Sequence, residues 1–162
     1  MKTINNDYDS IAHLWWSEDE GSTATIRYFI NPTRFNYFKK TLDARYPSGY
    51  SGMKALDLGC GGGFLSEDLS RIGLRVTGVD PSGESLAVAR EHAALSGLSI
   101  EYRPSSGEKL PFADGSFDMV FCCDVLEHVS DLGKVISEIS RVIKTGGVFF
   151  FDTINRTLIS RI

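Results

Sequence analysis

The chain has 162 residues, 42% of them hydrophobic and 23% charged, a size and mixture that suit one globular domain and exclude a disordered tract or a multidomain assembly. Seventeen Lys and Arg against 21 Asp and Glu leave a net charge of −4, which offers no field for a phosphate backbone, so nucleic acid is not an expected partner. No stretch approaches the roughly 20 apolar residues that span a bilayer.

The cysteines, Cys60, Cys122 and Cys123, are odd in number and lack CxxC spacing, which suggests neither a disulfide framework nor a zinc site and fits a reducing compartment. Met1 to Ser17 is acidic and polar, with neither the apolar segment of a secretory leader nor an Arg-rich transit pattern, so a cytoplasmic location is expected. Two helices come first, Asp7 to Trp16 and Pro32 to Ala44, the second with Asn31 as N-cap and Pro32 at its first position. Residues 1–50 read as a helical lid, set off by the loop Tyr46-Pro47-Ser48-Gly49-Tyr50-Ser51-Gly52. Trp15 and Trp16 read as lid packing, with peripheral contact to a bilayer through an amphipathic helix as the alternative.

Residues 51–162 read as a separate core, in which short β-rich runs alternate with helical patterns. Strands are predicted over Lys54 to Leu58, Arg75 to Val79, Ile100 to Arg103, Phe117 to Cys122 and Gly147 to Asp152. Helices are predicted over Phe64 to Ile72 and Ser82 to Ser96, and through Leu132, Val135, Ile136, Ile139, Val142 and Ile143. This alternation specifies an α/β fold, a Rossmann-like doubly wound parallel sheet with helices on both faces. Ligands on such sheets bind beyond the carboxyl ends of the strands, near the switch in strand order.

The first strand runs into Asp57-Leu58-Gly59-Cys60-Gly61-Gly62-Gly63-Phe64, where glycines permit a tight turn and let a ligand approach backbone N–H groups at a helix start. The third glycine of a dinucleotide-type GxGxxG falls on Phe64 and Asp57 stands inside the strand, both of which weaken a nicotinamide reading. Asp80 ends the second strand 21 residues after Gly59, the place for a carboxylate that accepts from ribose hydroxyls. A helix N-cap, with Pro81 next, is its bland alternative.

These residues, with Glu108-x-Leu110-Pro111-Phe112 before a strand, resemble class I S-adenosylmethionine-dependent methyltransferases between roughly Ala55 and Asp152. The resemblance implies that Asp57, Gly59, Cys60 and Gly61 bind the cofactor, with Gly59 and Gly61 against its methionine part. It also implies that Asp80 and Pro81 border the ribose and that Ser106 with Gly107 borders the adenine, where many members carry Asp in place of Ser106. Trp15-Trp16, Ile30-Asn31-Pro32-x-Arg34, Leu126-Glu127-His128-Val129 and Thr153-Ile154-Asn155-Arg156 resemble more narrowly the ubiquinone-biosynthesis O-methyltransferase family, which methylates catechol-like polyprenyl phenols. That family implies cofactor contacts for Arg34 and Cys123, and an acidic residue at Asp124, usually Glu, that joins Glu127 and His128 near the acceptor. It also implies two more strands and a helix after the fifth strand, so the chain is expected to lack the C-terminal part of the usual fold and to expose a sheet edge open to a homo-oligomer.

Asp124, Glu127 and His128 stand at i, i+3 and i+4, so one helical turn would gather them on one face. A phenol with pKa near ~10 must lose its proton to attack a methyl group, with His128 as base or with all three residues holding a divalent metal that acidifies the hydroxyl. The bland reading makes Asp124 and Glu127 caps of a helix that starts near Ser130. His92 is expected to be solvated, and Cys122 and Cys123 need no redox role. A methyltransferase for another small acceptor, and a module that holds the cofactor or S-adenosylhomocysteine without turnover, remain open alternatives.

Overall fold

Side chains along β1 (Lys54–Leu58) divide between the two faces of a sheet, Ala55 entering one apolar cluster and Leu56 and Leu58 another. In β4 (Phe117–Cys123), Met119 and Phe121 join the first cluster while Val120 and Cys122 join the second. Strands apolar on both sides need helices on both sides, which parallel sheets with crossover helices supply. In the computed structural model, which describes residues 12–17 and 22–153, β2 (Arg75–Asp80), β3 (Glu101–Pro104) and β5 (Ile143–Asp152) complete the sheet. Its order is β3-β2-β1-β4-β5 with every neighbouring pair parallel. The strand order reverses between β1 and β4, so a crevice opens beside the carboxyl end of β1.

The helical stretch before the sheet is one run: α1 (Ser22–Thr25), a π-helical stretch Ile26–Ile30 and α2 (Asn31–Arg45). Asn31 is therefore not an N-cap, because Thr25, Ile30 and Asn31 all keep right-handed helical dihedrals. Pro32 brings no N–H to the ladder, and the wider π turn, in which the Asn31 N–H reaches Ile26 O, passes the chain through that point. Asn31 is buried instead and donates from Nδ2 to Asp68 Oδ2 at 2.8 Å, tying α2 to α3 (Phe64–Arg71). Of the first expected helix, Ala12–Leu14 form a 3-10 turn, while Asp7 to Ile11 lie outside the described residues, as do Ile154, Asn155 and Arg156.

On the first face of the sheet, Phe38 and Leu42 of α2 and Leu65 and Leu69 of α3 pack on Met119, Phe121 and Phe150, the last two rings stacked at 4.8 Å. On the second face α5 (Leu132–Val142) inserts Val135, Ile139 and Val142. Its N-cap is Asp131, whose Oδ1 accepts from Lys134 N at 3.1 Å. Helix α4 (Gly83–Leu95) covers the β3 side through Leu86, Ala89 and Ala93 against Tyr102. The β4–β5 ladder starts at Ile143, earlier than the expected Gly147, then breaks register between Phe117 and Met119 and resumes at Val148. Among the described residues no helix is long and apolar enough to cross a membrane.

Leu42 is fully buried between α2 and the sheet. Leu42→Ala should therefore cost about 2–5 kcal/mol in urea denaturation, the range for emptying a packed leucine site. A loss below ~1 kcal/mol would show that α2 rides on the sheet without sharing its core.

Candidate functional site

The turn from β1 into α3 places Gly59, Gly61 and Gly63 at φ of +74°, +50° and +87°, where a β-carbon is strained. The N–H groups of Gly59 and Cys60 both donate to Val79 O, at 2.8 and 3.0 Å, which stitches the loop to β2. Beneath the loop Asp57 is almost fully buried and its Oδ2 accepts from Ser66 Oγ at 2.6 Å, pinning the first turns of α3. Burial pushes the Asp57 carboxyl up to about 6 against the opposing pull of Ser66. Above the loop, Asp80 Oδ2 accepts from Gly61 N and Oδ1 from Ser82 N, each at 2.9 Å.

Asp80 is thus held by two backbone donors at the end of β2. It is not the N-cap of the following helix. Ser82 fills that role through a 3.0 Å bond from Ser85 N, with the exposed Pro81 between them. Beside Asp80, Ser105 N donates to Asp80 O at 3.1 Å, which brings the exposed Ser106 and the buried Gly107 to the same rim. Cys60 turns inward among Leu86, Ala89 and Tyr102, where burial raises its thiol pKa, so its side chain belongs to the core and only its backbone belongs to the loop. Burial likewise pushes Cys122 up to about 12 and raises Cys123.

Asp124, Glu127 and His128 do not share a helical face. The chain turns at Asp124, whose φ of +55° is left-handed, and helix α5 begins only after its cap at Asp131. Asp124 Oδ2 receives Arg34 Nη2 at 2.6 Å, and Arg34 Nε lies 2.8 Å from Asp152 Oδ2 as an ion pair without hydrogen-bond alignment. Asp152 Oδ1 accepts the Asp124 N–H at 3.0 Å and so holds the strained turn. Burial raises the Asp152 carboxyl above its ordinary value, offset in part by Arg34. Glu127 Oε2 accepts from Thr153 Oγ1 at 3.0 Å, while Oε1 is buried without a hydrogen-bond partner among the described residues. His128 is exposed on the turn, its N–H bonded to Val125 O at 2.9 Å. Among the described residues no three His, Cys, Asp or Glu side chains gather to hold a metal ion, so the expected cluster of Asp124, Glu127 and His128 is not formed.

Sequence reasoning missed Asp152, Val125 and the partners of His92, and it left open which groups Trp15 packs on. Asp152 braces Arg34 and Asp124. Val125 packs on Gly59 so closely that a β-carbon there would collide with it, seating the Asp124 turn on the glycine loop. Trp15 covers Gly61 and Gly62, so the indole is turned inward and not toward a lipid surface. His92, expected in solvent, stacks on Trp16 and meets Glu67. These partners depend on contacts between segments distant in the chain, which no local pattern announces.

Because the folded-state pKa of Asp57 lies above its ordinary 3.8, the native state binds that proton more tightly than the unfolded chain does. Its contribution is fully present below about pH 4 and is lost as the pH rises through about 6. Wild-type stability should therefore fall relative to Asp57→Asn by up to ~3 kcal/mol between about pH 4 and 7. Urea titrations of both proteins across that range measure the difference, and a flat difference would show that Asp57 carries its charge without cost.

A family profile described as a methyltransferase domain matches residues 56–151. A ubiquinone biosynthesis O-methyltransferase of Brucella anthropi is 41% identical over 157 residues, covering 93% of this chain, and the chain spans 62% of that relative's length. Among solved structures, the YcgJ protein of Bacillus subtilis superposes with a TM-score of 0.68 at 29% identity, over 74% of this chain and 49% of its own. A SAM-dependent methyltransferase of Aquifex aeolicus shares the fold at a TM-score of 0.64 and 24% identity, over 84% of this chain and 67% of its own. The profile runs from β1 through the glycine loop and Asp80 to the end of β5, and on that match the chain belongs to the methyltransferase domain family.

Proposed function

We propose that the chain binds S-adenosylmethionine across the glycine loop and Asp80 and serves the methylation of a hydroxyl on a catechol-like, polyprenylated quinone precursor. The observation that carries the reading is the Asp80 carboxylate, fixed by Gly61 N–H and Ser82 N–H at the mouth of a left-handed glycine loop. That geometry suits a ribose diol beside bare backbone. When bound, the cofactor supplies a methyl group on a sulfonium centre, which leaves the chain two tasks, orientation and removal of one proton.

For the acceptor, support comes from the relatives' printed function and from the turn at the end of β4. His128 stands exposed on that turn and can take the phenol proton on a ring nitrogen as the oxygen gains its methyl. Arg34, held by Asp124 and Asp152, sets a fixed positive charge beside the same turn. An open groove of about 540 Å³ is lined by Arg34 and Asp152 together with Phe29, Ile30, Tyr37 and Phe151, and its apolar surface suits a prenyl tail.

Calorimetry with S-adenosylhomocysteine tests the cofactor assignment. Asp80→Ala should weaken binding by about 1–3 kcal/mol, the scale for stranding buried polar groups. Equal affinity in the variant, or tighter binding of NAD than of S-adenosylhomocysteine, rejects it. For the acceptor, His128→Asn should leave S-adenosylhomocysteine affinity and melting temperature nearly unchanged while methyl transfer to a catechol drops ~10²- to 10⁴-fold, the usual loss of a positioned base. An undiminished rate in a chain of the relatives' length would make His128 a surface residue of the turn.

A further inference from the structure

Both tryptophans of the chain lie against the glycine loop. Trp15 Nε1 donates to Ser85 Oγ at 3.0 Å, Trp16 Nε1 donates to Gly62 O at 2.8 Å, and both rings meet Phe64 edge-on. Gly62 is the informative neighbour. Unlike Gly59, Gly61 and Gly63 it has no positive φ, so its backbone would suit other residues. What it cannot take is a β-carbon, which would fall against the Trp15 ring. Glycine at this position makes room for the indole and is not needed by the turn itself.

The second indole has its own support. Trp16 lies flat on His92, with ring centroids 3.3 Å apart and planes 5° from parallel, while the Arg27 guanidinium sits 4.9 Å from the Trp16 ring centroid. Arg27 Nη1 also donates to Trp16 O at 3.3 Å. His92 is itself fixed, its Nδ1 lying 2.6 Å from Oε1 of Glu67, a fully buried carboxylate whose Oε2 pairs with Arg71 at 2.7 Å. A buried carboxylate must be met by donors, so Glu67 sets the position of the imidazole, and the imidazole sets the plane on which Trp16 rests.

We infer that Trp15 and Trp16 form the outer wall of the cofactor site, and that His92, oriented by Glu67, is the positioning residue for that wall. The inference rests on the cofactor reading above and adds to it. An indole wall beside the Asp80 carboxylate and the Gly61 N–H keeps water from the polar groups that a nucleoside would meet, and hydrogen bonds are stronger where water is excluded. His92 acts through Trp16, on which it stacks.

Because Trp15 and Trp16 are the only tryptophans, intrinsic fluorescence of the whole chain reports this wall alone. His92→Ala should shift the emission to the red, increase quenching by acrylamide and weaken S-adenosylhomocysteine binding about two- to tenfold, the range of one lost ring contact. Gly62→Ala alters neither His92 nor Glu67 and should do the same by unseating Trp15. His92→Phe restores a flat ring without the Glu67 bond and should recover part of both effects. Thermal melts run alongside separate loss of the wall from loss of the fold. Binding by the wild type with unchanged affinity in His92→Ala and Gly62→Ala overturns the wall, as does tighter binding in either variant. Absence of binding by the wild type overturns the cofactor reading itself.

Discussion

A left-handed backbone at Gly59, Gly61 and Gly63, all within five residues, is the constraint on which the site depends. A chain bent this sharply loses the regular hydrogen bonds of both the strand it leaves and the helix it enters, so its N–H groups must find other partners. Val79 O takes two of them and Asp80 Oδ2 takes a third, all from the neighbouring strand β2. From below, Asp57 fixes the start of α3 through Ser66. The parallel pairing of β1 with β2 is what brings Val79 and Asp80 alongside the loop. Sheet topology and site geometry are therefore one arrangement, since a slip of β2 by one residue would turn Asp80 to the other face of the sheet.

The sheet and its helices were legible because their information is local. Short β-rich apolar runs in β1 and β4, a 3.6-residue period in α5, and glycines at the β1 turn each announce an element within a dozen residues. Asp57, Asp80 and the glycines were legible for the same reason, as they sit at fixed offsets from strand ends. Failures came where a residue had both a local and a distant use. Asn31 before Pro32 has the composition of a cap, but Asp68 across the α2–α3 contact claims its amide. His92 sits among polar residues on α4, yet Glu67 and Trp16 reach it from two other segments. Spacing suggested one helical face for Asp124, Glu127 and His128, whereas Asp152 and Arg34 capture Asp124 and hold its backbone left-handed, delaying the helix to Asp131.

That capture shapes the turn after β4. Aspartate tolerates the left-handed region better than most residues, and what strain remains, of order 1–3 kcal/mol for such positions, is opposed by a backbone bond and by the pairing of Arg34 with both carboxylates. Arg34 comes from α2, which shares the buried Phe38 and Leu42 cluster with the sheet, so the guanidinium is delivered by a rigid element. The turn that carries His128 is thus braced at its base by a helix that precedes the sheet in the chain.

The two sides meet on the same few glycines. Val125, next to Asp124, occupies the space a β-carbon would take at Gly59, and Trp15 occupies the corresponding space at Gly61 and Gly62. The glycine run therefore meets two separate demands: dihedral freedom at Gly59, Gly61 and Gly63, and clearance at Gly59, Gly61 and Gly62. A side chain at Gly59 would strain the turn and also push Val125, and with it the Asp124 turn, away from the loop. A side chain at Gly62 would leave the turn unstrained and displace only the indole. The loop is in this sense a junction whose neighbouring positions separately control its own shape, the seat of the Asp124 turn and the seat of the tryptophans.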